Sequence, residues 1–306
     1  MNEWINDLSE IDREKVKLKF KEAKDDKATY DIYHDWHPKG HLNPTPITSL
    51  DEYFKYIRFC ATDSTWFRGE SREHEYLIPK LYRNLEEINL DAQLQKEKKF
   101  VLEFRRRGRN LGSNINQNNE WEWYFLAQHY GGPTRLLDWT SDAGVALFMA
   151  LDTNRDKTDN PVIYTLQPTV LSGYAYKEFG QEYRSGVIQY PGDEHTEKWI
   201  SNIFSGKEII PQSPIALLPV HHDARIISQS SCFTLFGKRI NGFFKDGKEI
   251  VCDCCGQRIR HKIIIDGTKK QSLRKQLSLI GVTSGKIYQG LDGLCKEIYQ
   301  EIYEKK

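Results

Sequence analysis

Along this chain, apolar positions recur first at helical spacing and later at strand spacing. Residues 1–25 read as a highly charged helix, and residues 26–46, DKATYDIYHDWHPKGHLNPTP, break the pattern as an irregular, Pro-rich linker. At residue 47 the pattern resumes. SLDEYFKYIRFCA opens on Ser49 with Glu52 three positions on, which is capping-box spacing ahead of a helix. TWFRGE follows as a short strand. Residues 91–108 read as a long helix with a basic end, 120–128 as a helix rich in aromatics, and 142–152 as a third after a Thr/Ser/Asp start. PVIYTL, PIALLPV, ARIIS, CFTLF and HKIIID then read as strands, and two helices close the chain. Helices first and strands afterwards predict an α+β fold with a mixed or antiparallel sheet, not regular βαβ winding.

With 306 residues the chain can bury a sizeable core as one large domain or two small ones. The expected division is an N-terminal helical extension and linker at 1–46 and a folded domain at 47–305, with 238–262 inserted into it. Aromatics make up 12% of the chain, with 16 Tyr and 7 Trp; some are core, and an excess can line a pocket or stack on bases. A net charge of +1 means that any nucleic-acid footprint must be local. The first residues lack an apolar signal-peptide core, and no apolar run approaches the ~18 residues of a spanning helix. The expectation is a cytoplasmic protein without membrane contact.

Three segments carry candidate chemistry. In Phe67-Arg68-Gly69-Glu70, a strand arginine beside a glycine presents a guanidinium fork suited to phosphate or carboxylate. In QHYGGPTRLLDWTSDAGVALFMAL, Gly131, Gly132 and Pro133 set a turn. His129, Tyr130, Thr134, Arg135 and Asp138 gather around it, ahead of an apolar helix whose N-terminus favours anions. The structural alternative pairs Asp138 with Arg135 and leaves His129 a satisfied core residue. In ARIISQSSCFTLFG, Arg225 and Gln229 lie on an apolar strand pattern, and Gln229 is either a structural clamp or a ligand reader.

Two further clusters stand apart. EFRRRGR places Arg105, Arg106, Arg107 and Arg109 at a helix end, where cations suit the dipole or a nucleic-acid backbone. Cys252 and Cys255 form half of a zinc knuckle. Cys254, His261 or the distant Cys232, Cys295, His221 or His222 would have to complete it, so a reduced thiol hairpin is the first reading and zinc the second. Cys60 stands alone. His34, His37 and His41 read as a surface loop, because Pro38 and Gly40 deny them one helical face.

FRGE at 67–70, LAQHYGGPTRLLDWT at 126–140 with ALFMAL behind it, RIISQSSCFTLF at 225–236 and YQGLDGL at 288–294 together resemble the FRG domain family. Two positions depart from its pattern: Ser231 replaces a usual Gly and Gln289 a usual Pro. The resemblance implies a distant likeness to the ADP-ribosyltransferase fold. There a first-strand Arg or His holds NAD, a second strand ends in Ser, Thr or Tyr, and a later strand supplies Glu or Gln. It gives those places to Arg68, to the stretch 134–140 and to Gln229. Arg68, Asp138 and Gln229 are then the expected catalytic residues. Arg68, His129, Tyr130, Thr134, Arg135 and Arg225 are expected to hold NAD as co-substrate. Gln229 would orient the ribose while Glu70 or Asp138 supplies negative charge. The family also resembles bacterial toxins and phage-defence effectors, which implies an antitoxin and a chaperone as partners. With the arginine cluster, nucleic acid, RNA first, is the expected acceptor. The rival readings are a non-catalytic nucleotide- or protein-binding module and an NAD glycohydrolase.

Overall fold

The computed structural model describes residues 5–6, 9–24, 28, 42–43, 45–62, 64–83, 89–110, 119–152, 159–178, 187–189, 202, 211–219, 224–245, 248–251 and 258–303. In chain order the helices are α1 (Glu10–Glu22), α2 (Leu50–Cys60), α3 (Leu90–Gly108), α4 (Glu120–His129), α5 (Ala143–Leu151), α6 (Pro168–Glu178), α7 (Ala224–Ser228), α8 (Lys270–Leu279), α9 (Ser284–Ile287) and α10 (Leu291–Tyr303). The strands are β1 (Trp66–Glu70), β2 (Leu136–Thr140), β3 (Val162–Leu166), β4 (Ile188–Gln189), β5 (Ile215–Leu218), β6 (Ser231–Leu235), β7 (Phe244–Lys245), β8 (Lys248–Glu249) and β9 (Arg260–Ile264). The fold is α+β. One sheet runs β4-β5-β6-β2-β1-β3-β9, antiparallel at every step but the parallel β4–β5 edge, and β7 and β8 form a separate hairpin.

Period-two alternation assigns the strand side chains to two faces. Phe67 of β1 and Ile163 of β3 pack beneath α5 with residues of α2 and α8. On the same face Leu136 of β2 and Phe233 of β6 pack beneath α4 and α6. Trp66, Leu137, Trp139 and Tyr164 turn to the opposite face, where Phe243, Ile250 and Ile259 cover them. Phe243, Ile250 and Ile259 of the segment 238–262 are therefore core, with Arg260 opening strand β9. Gly69 is required by this packing: a Cβ there would lie 1.9 Å from the carbonyl oxygen of Ala146, so only glycine lets α5 sit directly on β1.

The start signals hold at two helices. Ser49 Oγ accepts from Glu52 N at 3.3 Å, although the Glu52 carboxylate turns to Thr48 N at 2.8 Å and does not complete the box. Asp142 caps α5, accepting from Gly144 N at 2.7 Å and Val145 N at 3.1 Å. ARIIS is helical, correcting the strand expected there. Gln229 N donates to Arg225 O at 3.0 Å, Ile226 is buried while Ile227 is exposed, and Ser230 at φ 46° turns the chain into β6. No described helix is long and apolar enough to cross a membrane.

Candidate functional site

The sheet parts between β1 and β2. β1 and β3 are paired from Trp66↔Leu166 through Glu70↔Val162, whereas β1 and β2 meet only at Phe67↔Thr140. Beyond that pair a side chain bridges the strands: Arg68 Nη1 donates to the carbonyl oxygen of Asp138 at 2.7 Å. Its Nη2 donates to the Glu70 carboxylate on the same strand face. Burial alone would lower the pKa of Arg68, but the charges of Glu70 and Asp138 outweigh it and hold the guanidinium protonated. Burial alone would likewise raise Glu70, but Arg68, together with His74 and Arg83, outweighs it and lowers the carboxyl. The Nε of Arg68 is buried and has no partner among the described residues.

His74 extends this cluster, with Nε2 3.7 Å from a Glu70 oxygen. Its backbone holds Tyr164, the register partner of Arg68: His74 N donates to the phenol oxygen at 2.8 Å, and the phenol donates to His74 O at 3.1 Å. Burial lowers the pKa of His74. Arg72, Arg68 and Arg83 add to the shift and Glu70 opposes it, so the imidazole is neutral at pH 7. Nothing in the sequence pattern marks His74 or Tyr164 as a neighbour of Arg68.

The signature stretch builds the other side of the parting. α4 ends where Tyr130 N and Gly132 N donate to Leu126 O at 3.0 Å and Ala127 O at 2.7 Å, with Gly131 at φ 75°. A Cβ on Gly132 would come within 2.6 Å of the Phe100 ring and 2.7 Å of Ala127 O, so the turn is pressed against α3. Lys80 Nζ donates to Gly131 O. Thr134 Oγ1 then donates to Gln128 Oε1, which fixes the amide orientation, and Gln128 Nε2 donates to Asp138 Oδ2 at 2.9 Å. Asp138 is thereby held with its side chain 56% exposed and 3.9 Å from Arg68 Nη1. Gln128, which opens the stretch QHYGGPTR, is a positioning group that residue type alone did not single out.

Helix α5 does not follow the turn directly. Strand β2 intervenes, because Leu136 and Leu137 alternate into opposite apolar clusters and the strand pairs with β6 along its length. Arg135 therefore points away from any open site. It is buried with Glu97, Nε to Oε2 at 2.9 Å and backbone N to Oε1 at 2.8 Å, and Tyr124 also donates to that carboxylate. The Asp138–Arg135 pair weighed as the structural alternative does not form. Tyr130 is 67% exposed at the turn, with its ring edge-on to His129 at 5.1 Å. Thr140 Oγ1 donates to Gln229 O at 2.7 Å, so Gln229 borders the strand end next to Phe67. Gln229 Nε2 donates to Ile287 O at 3.2 Å, while its amide oxygen has no partner among the described residues. Arg225 lies over the Tyr288 ring at 5.2 Å.

At the end of α3, Arg106 and Arg107 both bond Glu103, at 2.8 and 2.9 Å, and Arg105 lies 3.8 Å from Glu120. Cys60, Cys232 and Cys295 are free thiols, and burial pushes Cys60 and Cys232 up to about 12. Cys252, Cys254 and Cys255 lie outside the described residues, as do His34, His37 and His41. Among the described residues no cluster of three or more His, Cys, Asp or Glu is placed to hold a metal ion.

No curated protein and no solved structure matches the chain. Residues 63–159 match the FRG domain family. That span holds Arg68, Glu70, His74, the turn after α4 and Asp138, while Tyr164 and Gln229 lie beyond it, and over it the chain matches an FRG domain.

Proposed function

We propose that the parting between β1 and β2 is the active site of an NAD-dependent ADP-ribosyltransferase whose acceptor is nucleic acid, RNA foremost. The observation that carries this reading is the Arg68–Asp138 arrangement: a protonated, strand-borne guanidinium beside an exposed carboxylate held in place by Gln128. NAD supplies the bond between ribose and nicotinamide, whose cleavage leaves positive charge on the ribose. A fixed carboxylate stabilises such charge better than an amide does. Glu70 is engaged by Arg68, so Asp138 takes that role. Arg68, whose side chain stays 15% exposed, provides the cation for phosphate oxygens. The unpartnered amide oxygen of Gln229 provides an acceptor for a ribose hydroxyl. The biological setting proposed is a bacterial toxin or anti-phage effector restrained by an antitoxin and a chaperone; its support is the family resemblance.

The purified protein is to be incubated with NAD and assayed for free nicotinamide, then with labelled NAD together with RNA, DNA or protein. Label on RNA supports transfer to nucleic acid. Nicotinamide release with no labelled acceptor makes the protein a glycohydrolase, and no release with any acceptor leaves a binding module.

A further inference from the structure

Outside this site a groove of about 550 Å³ runs along α3, lined by Lys96, Lys99, Phe100, Phe104, Glu103 and Arg107. Its floor is aromatic: Phe100 and Phe104 are stacked, with centroids 6.2 Å apart and planes 14° apart. Its rim is basic. α3 carries Lys96, Lys98 and Lys99 in its middle and Arg105 to Arg107 at its end, with Arg109 just beyond. Against them stand Asp91, Glu103 and Glu97, and Glu97 is buried with Arg135. The chain as a whole has a net charge of only +1, so positive charge is concentrated on this helix. The groove also reaches the site: the Phe100 ring lies against Gly132, in the turn from which Gln128 and Thr134 position Asp138.

We infer that the α3 groove binds single-stranded nucleic acid, with bases stacked on Phe100 and Phe104 and phosphates met by Lys96 and Lys99. An apolar aromatic floor alone would serve many ligands. Joined to a rim of lysines, it matches a polymer whose flat apolar faces alternate with anions. A duplex hides those faces, which selects single strands. Glu103 does not spoil the match, because Arg106 and Arg107 both bond it. The arginines at the helix end are thus partly neutralised, and Lys96 and Lys99, both exposed, become the principal phosphate contacts. The inference rests on the nucleic-acid part of the function proposed above and not on NAD.

The test is binding without NAD, read by fluorescence anisotropy on a labelled oligouridine and on an RNA duplex of equal length. The single strand is expected to bind at least tenfold more tightly than the duplex. Lys96→Glu with Lys99→Glu should weaken it tenfold or more and reduce the slope of log K against log salt by about 1.4, two contacts at ~0.7 each. The same charge change at the N-cap and in the body of α8, Lys269→Glu with Lys275→Glu, should leave binding within twofold. Phe104→Leu keeps the apolar filling and removes the ring, and should cost several-fold with the salt slope unchanged. Equal loss from the α3 and α8 variants, or equal affinity for duplex and single strand, overturns the proposal. So does absence of RNA binding by a folded protein that still releases nicotinamide from NAD. Single-strand binding by a protein that releases no nicotinamide upholds the groove and refutes the transferase reading alone.

Discussion

Arg68 and Asp138 are joined twice across the parting in the sheet: Nη1 of Arg68 donates to the Asp138 carbonyl oxygen at 2.7 Å and lies 3.9 Å from its carboxylate. The first contact stands where a strand-to-strand ladder bond would run, and the second couples the two groups on which the proposed chemistry depends. Arg68 is therefore both a site residue and a strut.

Arg68→Ala should abolish NAD-dependent nicotinamide release and also lower stability. It leaves the Glu70 carboxylate without its guanidinium and Asp138 O without its donor, a loss of about 2 kcal/mol. Arg68→Lys separates the two roles. A lysine keeps the charge but cannot serve Glu70 and Asp138 O together in the same fork geometry. It should recover most of the melting temperature and little of the activity. Full activity in a folded Arg68→Lys or Arg68→Ala protein would remove Arg68 from the site.

The cluster around Arg68 also fixes an acid dependence. His74 and Glu70 both have folded pKa values lowered, His74 chiefly by burial and Glu70 because Arg68, with His74 and Arg83, outweighs burial. A lowered folded value means that the unfolded chain binds more protons, so stability rises with pH across each window. The contribution of His74 is complete above its ordinary value of about 6.5 and is lost as pH falls through the folded value; that of Glu70 is complete above about 4.3 and is lost below it. The melting temperature should therefore fall in two stages on acidification. His74→Gln should remove the stage that begins near pH 6.5 and leave the lower one. Superimposable melting curves for the two proteins across that upper window would show that the imidazole is not held neutral by the fold.

Most of the elements were legible because their patterns are local. Helix α5 announces itself through Asp142 and an unbroken apolar run, and β1, β3 and β9 through short β-rich segments. Strand β2 was not legible from periodicity. It lies at the centre of the sheet, so Leu136, Leu137 and Trp139 are all buried, and its one exposed residue is Asp138. Only the family resemblance implied a strand there. ARIIS misled for a related reason: β-branched residues favour strands, but the reversal at Ser230 leaves them a single helical turn. At the site, Arg68 and Asp138 were both visible in the sequence as chemistry-bearing residues. The partition of roles was not, because Arg135 and Glu97 pair across 38 positions and no spacing rule reveals a contact of that range.

Arg135 belongs to the scaffold. Its side chain is 3% exposed and that of Glu97 1%, and they bond each other inside the layer between α3, α4 and β2. Arg135→Met should destabilise the protein by about 3–5 kcal/mol, since it strands a buried carboxylate. Adding Glu97→Leu should return much of that loss, because the unpaired charge is then gone. Denaturant melts of the two variants check this. Nicotinamide release per folded molecule should be unchanged in the double variant, and a loss there would place Arg135 in the chemistry after all.

The sharpest test uses two aspartates four positions apart. Asp142 accepts two backbone N–H bonds at the start of α5, whereas Asp138 is mostly exposed and accepts from Gln128. Asp142→Ala should therefore cost about 1 kcal/mol as a lost helix cap and spare activity at temperatures below its melt. Asp138→Asn should do the opposite. It preserves shape at an exposed position, so the melting temperature should stay within a degree or two, while loss of a carboxylate opposite developing positive charge should slow turnover by roughly 100-fold or more. Gln128→Ala should fall between them. The carboxylate remains but loses its donor, so turnover should drop about tenfold with KM for NAD little changed, the signature of a group that positions another. Melting curves and nicotinamide-release kinetics on the three variants decide the matter. If Asp138→Asn turns over like the parent, its carboxylate does not stabilise the transition state, and Glu70 is the remaining carboxylate beside Arg68.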